Sequence, residues 1–192
     1  NLKLDFSKEK LYSISGQSEN IVKNLEEDVT IYILAEKGKE DAGIVRLLGE
    51  YEKVSDKIKV ESVDPLNNPM LVNTYSANSA NENSLIFVGS KRSKVVDYSE
   101  IYEKDTTDFY STGEITTVFD GEGEITSAID FVSTDKLPTL YVFEGHNEAV
   151  LDSALVNLIE KQNISVKYFN AVKENKIPQD AECILINSPE KD

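Results

Sequence analysis

The alternation of apolar and polar residues divides the chain into short β-strands and amphipathic helices. Segment 29–35 (VTIYILA) is a β-branched and aromatic run of strand length, and segment 58–64 (IKVESVD) is a second one. Between them, apolar residues at helical spacing predict a helix with one buried face: Ile44, Leu47, Leu48 and Tyr51. A strand, a helix and a strand in this order predict a parallel pair joined by a right-handed crossover.

Two further elements are predicted before this unit. Leucine and phenylalanine alternate with polar residues in segment 2–6 (LKLDF), which predicts a strand. Ser15 is the expected N-cap of a helix with three apolar residues on one face, Ile21, Val22 and Leu25. We interpret both elements as an N-terminal extension of the first domain.

A short helix and a hairpin are predicted after segment 58–64. Asn68 and Pro69 are typical of an N-cap followed by a first helical turn. We interpret the Asn- and Ser-rich segment 73–84 as a solvated loop. Segments 84–89 (SLIFVG) and 93–99 (SKVVDYS) lie too close together for a crossover, so they predict an antiparallel hairpin.

A longer helix is predicted after a looser stretch, 103–119. Asp120 is its expected N-cap, and its buried stripe is formed by Ile125, Ala128, Ile129 and Val132. Segment 121–126 (GEGEIT) lacks the Lys and Ser/Thr of a Walker A loop and the third glycine of the dinucleotide fingerprint. We interpret Glu122 and Glu124 as acidic residues that favour the positive end of this helix.

The order of elements over 29–133, β-α-β-α-β-β-α, is that of a thioredoxin-like domain. The turn after the first strand, 35–43 (AEKGKEDAG), has no Cys-x-x-Cys pair, and 81–85 (NENSL) has no proline before the third strand. We therefore predict an α/β fold whose N-terminal domain, 1–135, is a thioredoxin-like scaffold without thiol chemistry.

A second domain, 136–192, is predicted. Its boundary lies within a polar linker at 133–138 that ends in proline. The domain begins with the strand TLYVF, continues with a helix and ends with the strands ISVKYF and CILIN. The helical stripe consists of Leu151, Ala154, Leu155 and Leu158. This pattern predicts the start of a Rossmann- or flavodoxin-like parallel sheet, of the glutamine-amidotransferase-like kind, that is truncated at residue 192.

Composition narrows the classes of partner. The chain carries 35 acidic and 20 basic residues, a formal charge of −15, which repels phosphate backbones and makes nucleic acid an unsuitable partner. No window approaches the roughly 18–20 apolar residues that span a bilayer.

The single cysteine, Cys183, cannot form an internal disulfide and is expected to be a small buried residue. The absence of an initial Met and the ending after a strand-like run are typical of a piece of a longer protein.

The only histidine, His146, marks the candidate site. It follows the first strand of the second domain, and in open α/β sheets the carboxyl ends of strands form the ligand crevice. If the third strand of this domain is a neighbour of the first, Asn187 and Ser188 face the same crevice as Gly145 and His146. We therefore predict a ligand-binding site formed by Gly145, His146, Glu148, Asn187 and Ser188.

Three other interpretations of His146 are open. Metal binding together with Glu144, Glu148 and Asp152 is disfavoured because zinc usually takes several His or Cys ligands. Acid/base catalysis with Glu148 is disfavoured because no Gly-x-Ser-x-Gly or cysteine elbow is present. In the structural interpretation Gly145 makes a tight turn and Asn147 or His146 caps the next helix.

Several motifs together resemble the extracytoplasmic part of the GldG-like proteins, which are auxiliary components of ABC-type transport systems associated in some bacteria with gliding motility. These motifs are LYSIS, VTIYIL, LLGEYEKVSDKIKVESVDPLNNP, SLIFVGSKRSKVVDYSEIY, GEGEITSAIDFV, LYVFEGHNE and IPQDAECILINSPEKD. The resemblance implies a region held outside the cell between two membrane helices, with a separately encoded permease and ATPase as partners. The family pattern at the histidine is Gly-His-Gly-Glu. Gly145, His146 and Glu148 match it, and Asn147 departs from it.

These observations predict a non-catalytic, extracytoplasmic module of a membrane ABC-type transport system. The module would bind a small molecule or a partner protein, without a metal or another cofactor. The alternative is a fragment of a hydrolase or transferase that uses His146 and Glu148.

Overall fold

The computed structural model describes residues 12–105, 116–170, 172–174 and 176–188. Contacts between Cα atoms divide the chain into two compact units, Asn1–Ser133 (unit 1) and Thr134–Asp192 (unit 2). The division falls two residues before the boundary predicted from the linker. The strand predicted at 2–6 lies outside the described residues.

Unit 1 contains five helices and six strands among its described residues. In chain order they are α1 (Gly16–Lys23), β1 (Val29–Leu34), α2 (Ala42–Val54), β2 (Ile58–Val63), α3 (Pro69–Thr74), β3 (Leu85–Val88), β4 (Ser93–Val96), α4 (Tyr98–Ile101), β5 (Tyr102–Asp105), β6 (Thr116–Phe119) and α5 (Gly121–Ser133).

The main sheet of unit 1 is mixed, with strand order β2-β1-β3-β4. β1 and β2 are parallel, as the α2 crossover predicts, with Val29 opposite Ile58. β3 runs antiparallel to both β1 and β4, so the predicted hairpin is confirmed. A separate pair of antiparallel strands, β5 and β6, forms part of the stretch at 103–119 that was expected to be loose.

Both faces of the main sheet are covered by apolar residues. Alternate residues of β1 and β3, such as Ile31 and Phe87, pack with the stripes of α2 and α5. The four residues of the predicted α2 stripe and the four of the α5 stripe are all buried. On the other face, Leu34 and Ile86 pack with Val72 of α3. The strands thus show the period of two, and the helices the period of 3.6, that the sequence carries.

Helix α1 is attached to α5 by a carboxylate. Ser15 caps α1 as predicted, with its side chain accepting a hydrogen bond from the Ser18 amide. Glu122, in the first turn of α5, accepts from the Ser15 amide and the Ser18 hydroxyl, each at 2.6 Å. Burial raises the pKa of Glu122, but these hydrogen bonds outweigh it and the pKa is lowered. The glutamate therefore serves as a structural anion in the segment GEGEIT.

The loop before β3 is less solvated than its composition suggests. Ala77 and Ser84 are buried. The carboxylate of Asp97, which also caps α4, accepts hydrogen bonds from the backbone and side-chain amides of Asn81 at 2.9 and 2.8 Å. Asn68, the expected cap of α3, makes no side-chain cap and instead donates to the carbonyl of Asp64. Long-range side-chain contacts thus hold a segment whose local sequence resembles an open loop.

Unit 2 is built on a parallel three-stranded sheet. Its elements are β7 (Thr139–Glu144), α6 (Ser153–Lys161), β8 (Ser165–Asn170) and β9 (Cys183–Leu185). The strand order is β8-β7-β9, and β7 is parallel to both neighbours. The first and third strands of the unit are therefore adjacent, which was the condition for a shared crevice.

Two expectations for unit 2 are wrong. Of the predicted stripe on α6, Leu151 is buried, but Ala154, Leu155 and Leu158 are exposed, while Val156 and Ile159 are half-buried. A helix with apolar residues on two sides offers two faces, and packing selects one of them. Cys183 is exposed instead of buried, because β9 lies at the edge of the described sheet.

No helix within the described ranges is both long enough and apolar enough to cross a membrane.

Candidate functional site

The end of β7 is a turn that only glycine fits. Gly145 has a φ of 126°, a conformation that L side chains rarely adopt. A Cβ atom there would lie 2.8 Å from Cγ2 of Val172 and 3.3 Å from Oδ1 of Asn170. Asn170 ends the neighbouring strand β8, so the close approach joins two strand ends. The predicted role of Gly145 in a tight turn agrees with this geometry.

Glu148 folds back beneath this turn. Its side chain is 4% exposed, and its Oε2 accepts a hydrogen bond of 2.9 Å from the His146 amide. Burial raises the pKa of Glu148, but hydrogen bonds from the backbone amides of His146, Glu148 and Gly145, together with the nearby imidazole, outweigh it and the pKa is lowered. The loop therefore encloses an ionised carboxylate.

The same carboxylate lies beside the imidazole of His146. Oε1 of Glu148 lies 3.5 Å from Nδ1 of His146, and the imidazole stacks on the Phe143 ring with centroids 5.6 Å apart and planes 13° apart. Oε1 of Glu148 is buried and has no hydrogen-bond partner among the described residues. The His146 side chain is 33% exposed, so a ligand can reach it.

Asn187 joins the loop from the end of β9. Its carbonyl oxygen accepts a 2.9 Å hydrogen bond from the Ala149 amide, and its side-chain amide donates a 2.9 Å bond to the Ala149 carbonyl. The Asn187 side chain is thus engaged by the loop backbone and braces the loop. Ser188 is exposed, with a φ of 51°. The predicted set therefore separates into a compact Gly145-His146-Glu148 turn and a brace from β9.

The loop lies where the strand order reverses. The chain passes from β7 to β8 on one side and then to β9 on the other. In open α/β sheets, ligands bind outside the carboxyl ends of the strands at such a reversal. This position supports a binding role for the exposed imidazole.

The structural interpretation of His146 as a helix cap is wrong. Helix α6 begins at Ser153, and its N-cap is Asp152, whose carboxylate accepts a 2.8 Å hydrogen bond from the Ala154 amide. His146 and Asn147 lie several residues earlier, in a loop. Asn147 has a positive φ of 56° there. The loop between β7 and α6 is therefore longer than the pattern indicated.

The sequence did not indicate two contacts of the site. The His146 imidazole stacks on the Phe143 ring, and Asn187 bonds to the backbone of Ala149. Phe143 was assigned to the strand, and nothing local indicates that the Gly145 turn brings the imidazole back over its ring. Ala149 contributes only backbone atoms, so its side chain carries no signal. Within the described residues, no group of three or more His, Cys, Asp or Glu residues could hold a metal ion.

The buried carboxylate predicts a pH-dependent stability for unit 2. Because the folded-state pKa of Glu148 lies below its ordinary value of 4.5, its stabilisation is fully present above that value and is lost as the pH falls through the lower one. We expect Glu148→Gln to be less stable than the parent at about pH 7, with the difference narrowing by about pH 3. Urea unfolding followed on NMR signals of unit 2 measures both differences. Glu160→Gln, at an exposed position, is the control, and a pH-independent loss for Glu148→Gln would contradict the assignment.

Comparison with known proteins adds a family for the first half of the chain. A family described as Domain of unknown function (DUF7088) matches residues 8–104, just over half of the sequence. The matched segment lies in unit 1, so the His146 loop is outside it. No curated protein matches the chain.

Proposed function

The chain belongs to the family described as Domain of unknown function (DUF7088), and we propose that it is a non-catalytic binding module of a membrane ABC-type transport system. The observation that carries the binding role is the His146 loop, where a buried carboxylate lies beside a partly exposed imidazole at the reversal of a parallel sheet. The resemblance to the GldG-like proteins supports the transport context. On the same ground we propose an extracytoplasmic location, with a permease and an ATPase as partners.

The topology supports a finer assignment of the fold. In unit 1, a parallel β1-α2-β2 unit followed by an antiparallel β3-β4 hairpin and α5 is the arrangement of a thioredoxin-like domain. In unit 2, the order β8-β7-β9 corresponds to the order 2-1-3 that begins a flavodoxin-like sheet. We propose these two folds for the units, with thiol chemistry absent from the first because the only cysteine of the chain is Cys183.

A second function is favoured by one contact. A carboxylate beside Nδ1 is the arrangement that orients the imidazole of a general base, so His146 and Glu148 could serve a hydrolase or transferase. The imidazole lies beside the carboxylate of Glu148 and stacks on the ring of Phe143, and neither of these supplies an activated nucleophile. The binding role is therefore our conclusion. Hydrolysis of ester, amide or glycosidic probes that is lost in His146→Ala would replace it.

The proposal is tested in cells that produce the protein together with the permease and ATPase proposed as its partners. Cys183 is exposed, so a membrane-impermeant maleimide should label it in intact cells, with Cys183→Ser as the blank. His146→Ala should keep this labelling, because the turn depends on Gly145 and Glu148, but should reduce co-purification of the permease or the rate of transport. Glu160→Ala, on the exposed side of α6, should change neither readout.

Each part of the proposal can fail separately. Labelling of Cys183 only after the cells are permeabilised would place the module on the cytoplasmic side. Normal labelling with unchanged co-purification and unchanged transport in His146→Ala would remove the binding role of the loop.

A further inference from the structure

A cleft in unit 1 lies far along the chain from the His146 loop. It has a volume of about 460 Å³ and opens where β1 and β2 end, beside Leu34 and Asp64. Small-molecule pockets commonly measure roughly 300–1,000 Å³, so the cleft is large enough for a small ligand. β1 and β2 are parallel neighbours, and the carboxyl ends of parallel strands are a common place for ligands.

The floor of the cleft is apolar. Leu34, Val72 and Ala77 line it and are only 2%, 7% and 3% exposed. They belong to the cluster that packs α3 and its following loop against the sheet. Because these residues are already almost fully covered, the apolar surface that a ligand can still remove from water belongs mainly to Leu66, which also lines the cleft and is 90% exposed. This surface favours a ligand with an aliphatic or aromatic body.

The rim of the cleft is negatively charged. Three carboxylates line it, from Glu36, Asp64 and Glu82, against the single ammonium group of Lys39. Lys39 forms an ion pair with Glu36. Two carboxylates thus remain in excess, and an anionic ligand would be repelled while a cation would be attracted.

Hydrogen bonds hold the walls in place. Asn83, with a φ of 68°, donates its amide to the Leu34 carbonyl at 2.7 Å, and its side-chain oxygen accepts from the Asp41 amide at 2.7 Å. Asp97 holds the backbone and side chain of Asn81. On the opposite wall, Oδ1 of Asp64 accepts a 2.9 Å hydrogen bond from the Leu66 amide. A cleft with walls fixed in this way needs little reorganisation to bind a ligand.

From the apolar floor, the carboxylate rim and the fixed walls, we propose that this cleft is a binding site for a small organic cation, an ammonium ion with an apolar body. The ammonium group lies against the carboxylates of Glu82 and Asp64, and the apolar body covers the exposed side chain of Leu66. The site lies within the segment shared with the DUF7088 family and does not depend on the role of His146.

The test is an NMR titration of the full chain with three probes of equal chain length. Hexyltrimethylammonium should shift the amide signals of Ala77, Asn78 and Leu66 in a saturable way, and added salt should weaken its binding. Hexanol should bind more weakly, and hexanoate should bind most weakly. Equal binding of hexanoate, or shifts by the cation that lie away from the cleft, would overturn the proposal.

Two variants and a control make the test specific. Glu82→Gln, at an exposed position, should weaken the binding of hexyltrimethylammonium by about twofold to fivefold and leave the affinity for hexanol unchanged. Ala80→Leu, which adds bulk at the cleft wall, should weaken the binding of both the cation and hexanol. Glu103→Gln removes an exposed carboxylate of β5, outside the cleft lining, and should change neither. Equal effects of Glu82→Gln and Glu103→Gln would show that only the overall charge attracts the probe.

Discussion

Phe87→Ala is expected to lower the free energy of unfolding of unit 1 by about 3–5 kcal/mol. Phe87 lies in β3, opposite Ile31 of β1 and Lys94 of β4, and its ring is fully buried. It belongs to the cluster that α2 and α5 complete, so its removal leaves a cavity in the middle of the layer. Residues on a sheet and two helices surround the position, and they cannot all move inward to fill it. Urea unfolding followed on NMR signals of unit 1 measures the loss.

The control for Phe87→Ala is the same substitution at Phe131. Phe131 is half-buried on α5, where Arg92 and Lys94 lie over its ring at 5.6 and 5.5 Å. Flexible cationic side chains can close over the space that Phe131 leaves, so the cost there should be clearly smaller. Equal costs at the two positions would contradict the central position of Phe87.

Gly89→Ala is expected to destabilise unit 1 by about 1–3 kcal/mol, towards the upper end of that range. Gly89 follows β3 and donates its amide to the Arg92 carbonyl at 2.9 Å, which closes the hairpin turn. A Cβ atom at this position would lie 2.2 Å from the carbonyl oxygen and 2.9 Å from the carbonyl carbon of Val132. Both are backbone atoms of the last turn of α5, so no side-chain rotation relieves the clash. The helix end must move away from the hairpin.

Gly49→Ala provides the matched control. Gly49 lies inside α2, and a Cβ atom there would meet nothing within 4 Å. The substitution should stabilise the helix by about 0.5–1 kcal/mol, because alanine loses less backbone entropy than glycine. Thermal and urea unfolding of the two variants should therefore move in opposite directions. A loss of stability in both would mean that the packing of α5 on the hairpin is not the cause.

Much of unit 1 could be predicted because its periodic patterns are long. The α2 stripe at Ile44, Leu47, Leu48 and Tyr51 spans two helical turns, and every member is buried. The hairpin followed from the short turn between β3 and β4, which excludes a crossover. The β5-β6 pair was missed because each strand is only four residues long and shows no alternation that distinguishes it from a loop.

In unit 2 the hydrophobic pattern gave wrong burial predictions, because neighbouring elements decide which side of a helix or strand is buried. Leu155 and Leu158 have the spacing of a buried stripe, yet both are exposed, since α6 also carries Val156 and Ile159 on another side. Cys183 lies in an apolar run that is typical of a buried strand, and its exposure follows from the edge position of β9. Strand order is a property of the sheet, and a short strand carries no local signal for it.

In the candidate site, too, local features could be predicted from the sequence and long-range contacts could not. Gly145, His146 and Glu148 could be selected from the sequence because the turn at the end of β7 is local, and four residues suffice to fold the carboxylate onto the imidazole. The contribution of Asn187 could be stated only as a condition on strand order. The cleft beside Leu34 had no sequence signal, because its lining comes from strand ends and loops that are brought together by the sheet.

The sequence by itself determined the mixed α/β class, the parallel β1-β2 pair and the antiparallel β3-β4 hairpin of unit 1, the lack of a cysteine pair and the Gly145-His146-Glu148 turn. Each of these depends on residues that are close together in the chain or on composition. Tertiary structure alone decided the order β8-β7-β9, the exposed side of α6, the brace from Asn187 and the acidic cleft. Those features depend on which distant segments become neighbours. The total burial and hydrogen bonding of each folded unit decide which segments become neighbours, and no single segment encodes this arrangement.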